Sequence, residues 1–236
     1  MRIAEWLVGV VVPARDEDDN IESCVAAIRA ALGSCPLMRS SWIVVVADTC
    51  RDHTAARARI ALGETGEVIE CEARSPGSAR RIGTAALLRR FPASPQVWVA
   101  NTDADSQPAP DWISQQLRFA QMGYAGVAGI VRIDSIDGLA APDVAELFQY
   151  PVNADGSHPH VHGANLGLRA DAYLDAGGWS DLALAEDHCL WSRVKARNWQ
   201  TIASASSVVL TSGRLVGRAS GGFADSLRQR MELVYA

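Results

Sequence analysis

The side chains that can do chemistry in this chain crowd at the ends of apolar runs. The clearest case is Asp103-Ala104-Asp105, which directly follows Val97-Trp98-Val99-Ala100-Asn101-Thr102. Two carboxylates one residue apart repel each other unless a cation sits between them. An oxygen-rich pair of this kind suits Mg2+ or Mn2+, which in turn hold a diphosphate. The plain alternative is that both aspartates only open the turn before Pro108 and Pro110.

Other polar groups fall at comparable places. A first apolar run ends in Pro13-Ala14-Arg15-Asp16-Glu17, and a second in Asp48-Thr49-Cys50-Arg51-Asp52-His53-Thr54. A carboxylate at Asp48 can accept the ring N–H of uracil or guanine, or serve as a strand-end turn residue. Asp52 reads better as a helix cap, with Thr54 nearby. Arg80, one turn into a helix, can reach a phosphate or lie solvated on the surface; Arg81 is the better candidate for solvation. Glu186 and Asp187 precede an amphipathic helix. They either favour its dipole or supply a general base, which an alcohol attacking a sugar requires.

His158, His160 and His162 alternate, which invites a zinc reading. Pro159 disfavours a regular strand, and no cysteine or paired acid accompanies them, so acceptor-site or plain loop histidines fit better. Arg214 and Arg218 flank Gly217 in a tail that can fold over a diphosphate, or remain solvated. Trp179 is placed to face an acceptor, whereas Trp42 and Trp98 read as core.

The elements that must position these groups follow from patterning. Strands are expected at 7–12, 41–47, 68–71 and 97–100. Helices are expected from Asp19 or Asn20, over 54–62 and over 78–90. Strand–helix alternation of this kind implies a mostly parallel sheet covered on both faces, with ligands beyond the C-terminal strand ends. The second half is less regular. It shows a helix over 111–122, a strand over 126–133, helices over 169–176 and 185–197, and a strand over 201–210. Residues 134–162 read as a long loop with a helical patch at 141–149, and such loops are usually functional.

Bulk properties narrow the choice. The net charge of −5 argues against a broad nucleic-acid-binding face. Five cysteines, an odd number without a Cys-x-x-Cys pair, point away from a disulfide framework and towards a reducing cytoplasm. The apolar start runs straight into Pro13 and charged residues, so it reads as a first strand rather than a signal peptide. No segment approaches the length of a membrane span.

Taken in order, these pieces resemble the family 2 glycosyltransferases of the GT-A fold, over roughly residues 7 to 222. The resemblance rests on Val12 to Glu17 with Ile21, on Asp48 to Thr54, and on Gly77-Ser78-Ala79-Arg80 with Gly83. It continues through Asp103-Ala104-Asp105, Gly163-Ala164-Asn165 and Glu186-Asp187. It implies an α/β unit over 1–236 with a mostly parallel, mixed central sheet and helices on both faces. Residues 1–105 would form a nucleotide-binding half, 106–222 an acceptor-binding half, and 223–236 a C-terminal helix.

The resemblance also implies roles. Pro13, Ala14, Arg15 and Glu17 would wrap the base and ribose of a UDP- or GDP-sugar, and Asp48 would read the base. Arg80, Ala104, Arg214 and Arg218 would complete the donor site. Asp103 would contact ribose or metal, and Asp105 would bind Mn2+ or Mg2+ directly. Asp187, beside Glu186, would take the acceptor proton, with inversion at the sugar carbon. His162 and Trp179 would line the acceptor site.

Departures refine this expectation. Asp16 stands where the family more often has Asn, and Cys50 where it often has Ser. The Gln-x-x-Arg-Trp signature of processive members is absent, which favours a single transfer. Where relatives offer a late histidine as a further metal ligand, this chain has Val209-Leu210-Thr211-Ser212-Gly213-Arg214, so the third protein ligand stays open. Two rivals remain: a nucleotidyltransferase making nucleotide sugars, and a non-catalytic sugar- or nucleotide-binding module. The first usually carries a glycine-rich loop after the first strand, and Pro13 to Glu17 contains no glycine. Intact Asp103, Asp105 and Asp187 count against the second.

Overall fold

The apolar runs become strands of one sheet. In the computed structural model, which describes residues 5–133, 136, 152–182, 184–215, 225 and 227–229, β1 (Trp6–Ala14) lies between β2 (Met38–Asp48) and β4 (Val97–Asn101). β3 (Gly66–Cys71) lies outside β2. These four strands pair in parallel. Their connections are helical: α1 (Ile21–Gly33), α2 (Thr54–Leu62) and α3 (Pro76–Arg90). Parallel neighbours require such crossovers, so every βα turn of this half opens at one end of the sheet.

Alternation along the strands sorts the core into two faces. Val8, Val10 and Val12 meet Ile21, Val25 and Ile28 of α1, and Ala58 and Leu62 of α2. Val11, Val44, Val46 and Val99 face Ala79, Ala86 and Leu87 of α3. α3 sits close because two positions lack side chains. A Cβ on Gly9 would fall 1.9 Å from Leu87, and one on Gly83 would fall 2.6 Å from Val11. Trp98 is core as expected. Trp42 is only half-buried, its ring covered by the Arg90 guanidinium 3.9 Å from the ring centroid.

The second half extends the sheet with mixed polarity. β5 (Ser106–Pro108), α4 (Trp112–Gln121) and β6 (Gly126–Ile133) are followed by β7 (Leu166–Arg169). α5 (Ala170–Asp175), α6 (Glu186–Ala196) and β8 (Thr201–Thr211) complete the described elements. The sheet order is β3-β2-β1-β4-β7-β6-β8-β5. β7 runs antiparallel to both β4 and β6, and β5 antiparallel to β8. The helical patch at 141–149 lies outside the described residues. Of the expected C-terminal helix over 223–236, the described residues Asp225 and 227–229 are helical.

A buried polar hub fixes where β7 begins. Asn165 is 0% exposed. Its Oδ1 accepts from Trp112 Nε1 at 2.8 Å and from Ser207 Oγ at 3.1 Å. Its Nδ2 donates to the carbonyls of Ile130 at 2.8 Å and Ser207 at 3.0 Å. One amide therefore ties α4, β6 and β8 to the start of β7, with every polar arm satisfied as a dry interior demands. Asn165→Leu keeps the volume but orphans several buried partners. Each orphan costs about 1–3 kcal/mol, so the variant should lose roughly 3 kcal/mol or more in urea unfolding; a loss below about 1 kcal/mol would show that the hub does not carry the junction.

Candidate active site

Five carboxylates and two guanidiniums meet where β1 and β4 end and α6 begins. β1 runs through Pro13 and Ala14 and delivers exposed Arg15, then Asp16 and Glu17. Asp16 adopts φ +52°, which the short polar side chain tolerates, and its Oδ1 accepts the Arg51 N–H at 2.7 Å. Glu17 is 5% exposed and its N–H donates to Thr54 Oγ1 at 2.7 Å. Asp52, expected as the cap of α2, lies one residue ahead of that position: the N-cap is His53, whose side chain caps nothing, while Asp52 accepts from Thr54 N–H at 2.9 Å and Thr54 Oγ1 at 2.6 Å.

Asp48 ends β2 at 5% exposed. Its Oδ1 accepts from Thr49 Oγ1 and from the Arg74 N–H, each at 2.9 Å. Among the described residues both of these bonds go to Oδ1, which leaves the Oδ2 face of this carboxylate for a further donor.

Arg80 departs most from expectation. It is 3% exposed rather than solvated or aimed at a phosphate. Nη2 bonds Asp103 Oδ1 at 2.5 Å, and Nη1 bonds Glu186. The guanidinium lies 5.3 Å from the Trp179 ring centroid. Burial pulls the Arg80 pKa down, but Asp103, Glu186 and Asp187 outweigh it and hold it above its ordinary value. Trp179, expected to face an acceptor, is instead 2% exposed beneath this guanidinium. Its indole supports a buried cation and has almost no surface left for a ligand. Arg81 is exposed, as expected, and pairs with Asp181.

The second guanidinium belongs to Arg214. The antiparallel β5–β8 pair sets Ser106 opposite Thr211, their hydroxyls 2.8 Å apart. The Ser212 N–H then donates to the Asp105 carbonyl at 3.2 Å, which carries Arg214 over the same aspartate. Arg214 bonds Asp105 Oδ2 at 2.9 Å and both oxygens of Glu17. Burial and the neighbouring Asp103 push the Asp105 pKa up to about 6, against the pull of Arg214. Ala104, between the two aspartates, is buried. Arg218 lies outside the described residues.

Asp187 occupies the first turn of α6, after Ala185 at φ +57°. Its Oδ2 accepts the Gly163 N–H at 2.8 Å and its Oδ1 the His188 N–H at 2.7 Å. A Cβ on Gly163 would lie 2.6 Å from Arg80 Nη2, so any side chain here would have to displace that guanidinium. Glu186 is turned inward to Arg80; burial raises its pKa and Arg80 opposes the rise. His158, His160 and His162 share one side of their segment, neighbouring rings 6.0 and 6.1 Å apart. Among the described residues, the one set of three metal-type side chains with mutually close ligand atoms is Asp16, Cys50 and Asp52, not these histidines.

The donor set is all oxygen at Asp103 and Asp105, with Glu17 adjacent. Glu17 and Asp105 share the Arg214 guanidinium, and all three acids offer only oxygen, the ligand type that a hard divalent ion takes, although their ligand atoms form no close set of three among the described residues. The family model for "Glycosyltransferase like family 2" matches residues 5–231. The chain belongs to this family. Solved structures agree on the fold. A mannosyltransferase from Pyrobaculum calidifontis, in complex with GDP-Man and Mn2+, superposes with a TM-score of 0.64 at 20% identity, over 95% of this chain and 60% of that one. S. aureus TarS 1-349 in complex with UDP-GlcNAc gives 0.63 at 13% identity, over 96% and 65%. GalNAc-T7 with UDP, GalNAc and Mn2+ gives 0.64 at 12% identity, over 90% and 46%. This family 2 chain thus has the GT-A fold and spans less than two thirds of each of these proteins. Curated protein sequences give no match.

The setting of His162 in this family 2 site makes a pH prediction. Burial lowers its pKa from 6.5 to about 4, and the Asp187 carboxylate only partly opposes this. The unfolded chain takes up a proton near 6.5 that the folded chain refuses until about 4, so His162 favours unfolding as pH falls through that window and costs nothing above it. In an NMR titration its ring signals should stay those of neutral imidazole down to about pH 5; a midpoint near the ordinary 6.5 would contradict the burial.

Proposed function

We propose that this chain is a metal-dependent glycosyltransferase that moves one sugar, with inversion, from a nucleotide-diphosphate sugar to an acceptor hydroxyl. The observation that carries the reading is Arg80. It binds Asp103 at the end of β4 and Glu186 at the start of α6, and so brings the acid at the strand end close to Asp187. The family supports glycosyl transfer, and the complexes with GDP-Man and UDP-GlcNAc support a UDP- or GDP-sugar as donor.

On this reading, Pro13, Ala14, Arg15 and Glu17 surround the base and ribose, and Asp48 Oδ2 accepts a ring N–H of uracil or guanine. Asp103 and Asp105 hold Mn2+ or Mg2+, which when bound neutralises charge building on the departing diphosphate. Asp187 takes the proton from the acceptor hydroxyl as that oxygen attacks the anomeric carbon. The bond from that carbon to the diphosphate breaks on the opposite face, and the diphosphate leaves with the electron pair. The Gly163 N–H fixes which lone pair of Asp187 faces the acceptor. Glu186 is held by Arg80, so it positions rather than accepts. His162, neutral and next to Asp187, supplies an acceptor-side hydrogen-bonding group. Trp179 has no acceptor role here.

No helix among the described residues is long and apolar enough to cross a membrane. All five cysteines are free, which supports a cytoplasmic setting. The absent Gln-x-x-Arg-Trp signature supports a single transfer rather than polymerisation.

Asp187→Asn keeps the shape and one of the two backbone bonds, to Gly163 or to His188, but cannot take the proton. Donor affinity should persist, while donor turnover, read as release of nucleoside diphosphate, should fall by about 10²–10⁴-fold. Near wild-type turnover would remove Asp187 from the role.

A further inference from the structure

One nitrogen, Nη2 of Arg214, contacts both Glu17 Oε1 at 2.5 Å and Asp105 Oδ2 at 2.9 Å. Nη1 of the same side chain donates to Glu17 Oε2 at 2.8 Å. A cation shared between carboxylates from different strand ends is the arrangement that a divalent ion would itself make. We propose that Arg214 is an internal stand-in for the divalent ion, and that donor loading moves its guanidinium from Glu17 and Asp105 onto the diphosphate. The proposal rests on the reading of Asp103 and Asp105 as the metal–diphosphate site.

The physical argument has three parts. First, the acids need a counter-cation. Glu17 is buried, Asp105 is partly buried and Asp103 is adjacent, so the site without a ligand would otherwise concentrate negative charge where water has reduced access. Second, a divalent ion on Asp105 would compete with the guanidinium for Oδ2 of the same carboxylate, and like charges this close repel. Arrival of the ion therefore favours release of the arginine. Third, the arginine can leave. It follows Gly213, just past the end of β8, and among the described residues its own N–H is held by Ser212 Oγ at 3.3 Å. A diphosphate beside the ion offers the evicted fork a bidentate anion, which suits guanidinium geometry.

This makes metal and nucleotide mutually dependent. Without nucleotide, the ion competes with a built-in cation. With nucleotide, Arg214 gains a new partner and the competition is relieved, so each ligand strengthens the other. The arrangement also protects the site from binding a bare metal ion with no donor to use.

The test measures free Mn2+ by electron paramagnetic resonance while titrating the full chain, with and without UDP or GDP. Arg214→Gln should bind Mn2+ alone about tenfold or more tighter than wild type. It should bind the nucleoside diphosphate with Mn2+ about tenfold or more weaker, with the mutual strengthening lost. Arg214→Lys keeps one charge but cannot span both carboxylates, so it should fall between the two; it serves as the measured variant if Arg214→Gln shows no folded circular dichroism spectrum. Asp105→Asn should lose Mn2+ binding. Equal or weaker Mn2+ affinity in the Arg214 variants, with binding still dependent on Asp105, would overturn the stand-in and leave the metal site standing. Absence of Mn2+ binding in wild type and all variants, with and without nucleotide, would overturn both.

Discussion

The buried cation of Arg80 is the constraint on which the rest of the site depends. Moving a charged side chain out of water costs several kcal/mol, and the cost is offset only when charged partners are well placed. Here the partners are Asp103, from the end of β4, and Glu186, from the start of α6, with the Trp179 ring beneath. The guanidinium thus joins the parallel half of the sheet to the helix that carries Asp187. Its volume also fixes Gly163, whose N–H orients Asp187. Removing Arg80 would strand two inward carboxylates and release the geometry of both ends of the cleft together.

The two guanidiniums divide the labour differently. Arg80 sits one turn into α3 and is buried, and its bonds are structural. Arg214 follows the last described strand, is partly exposed, and bridges acids whose geometry suits an ion. Equal charge in nearly the same place therefore carries opposite consequences for motion. A buried cation on a helix holds a site in shape, whereas one just past a strand end, behind a glycine, can be exchanged.

Much of this was legible in the sequence because it is local. α2 begins and ends at the expected Thr54 and Leu62, and β6 at Gly126 and Ile133, since period and flanking turn residues mark them. The acids at the ends of β1, β2 and β4 were also visible as breaks after apolar runs. What failed to show was pairing at a distance. β5 and β7 hold three and four residues, too few to display a period, and exist only because β8, β4 and β6 lie alongside. The sequence leaves Arg80 either phosphate-facing or solvated, because its partners lie 23 and 106 positions away. Trp179 was read as acceptor-facing for the same reason, its neighbour being that arginine. Asn165 belonged to a recognised motif, but its work is internal, joining three elements from a site with no exposure.

The central claim is that the acids at the strand ends form a donor site that uses a nucleoside diphosphate and a divalent ion together. Calorimetric titration of the wild-type chain with UDP and with GDP, each in the presence and absence of Mn2+, addresses it most directly. The account predicts that one of the two nucleotides binds and that binding requires the metal. Binding of neither nucleotide, or binding of equal strength with and without Mn2+, would contradict it.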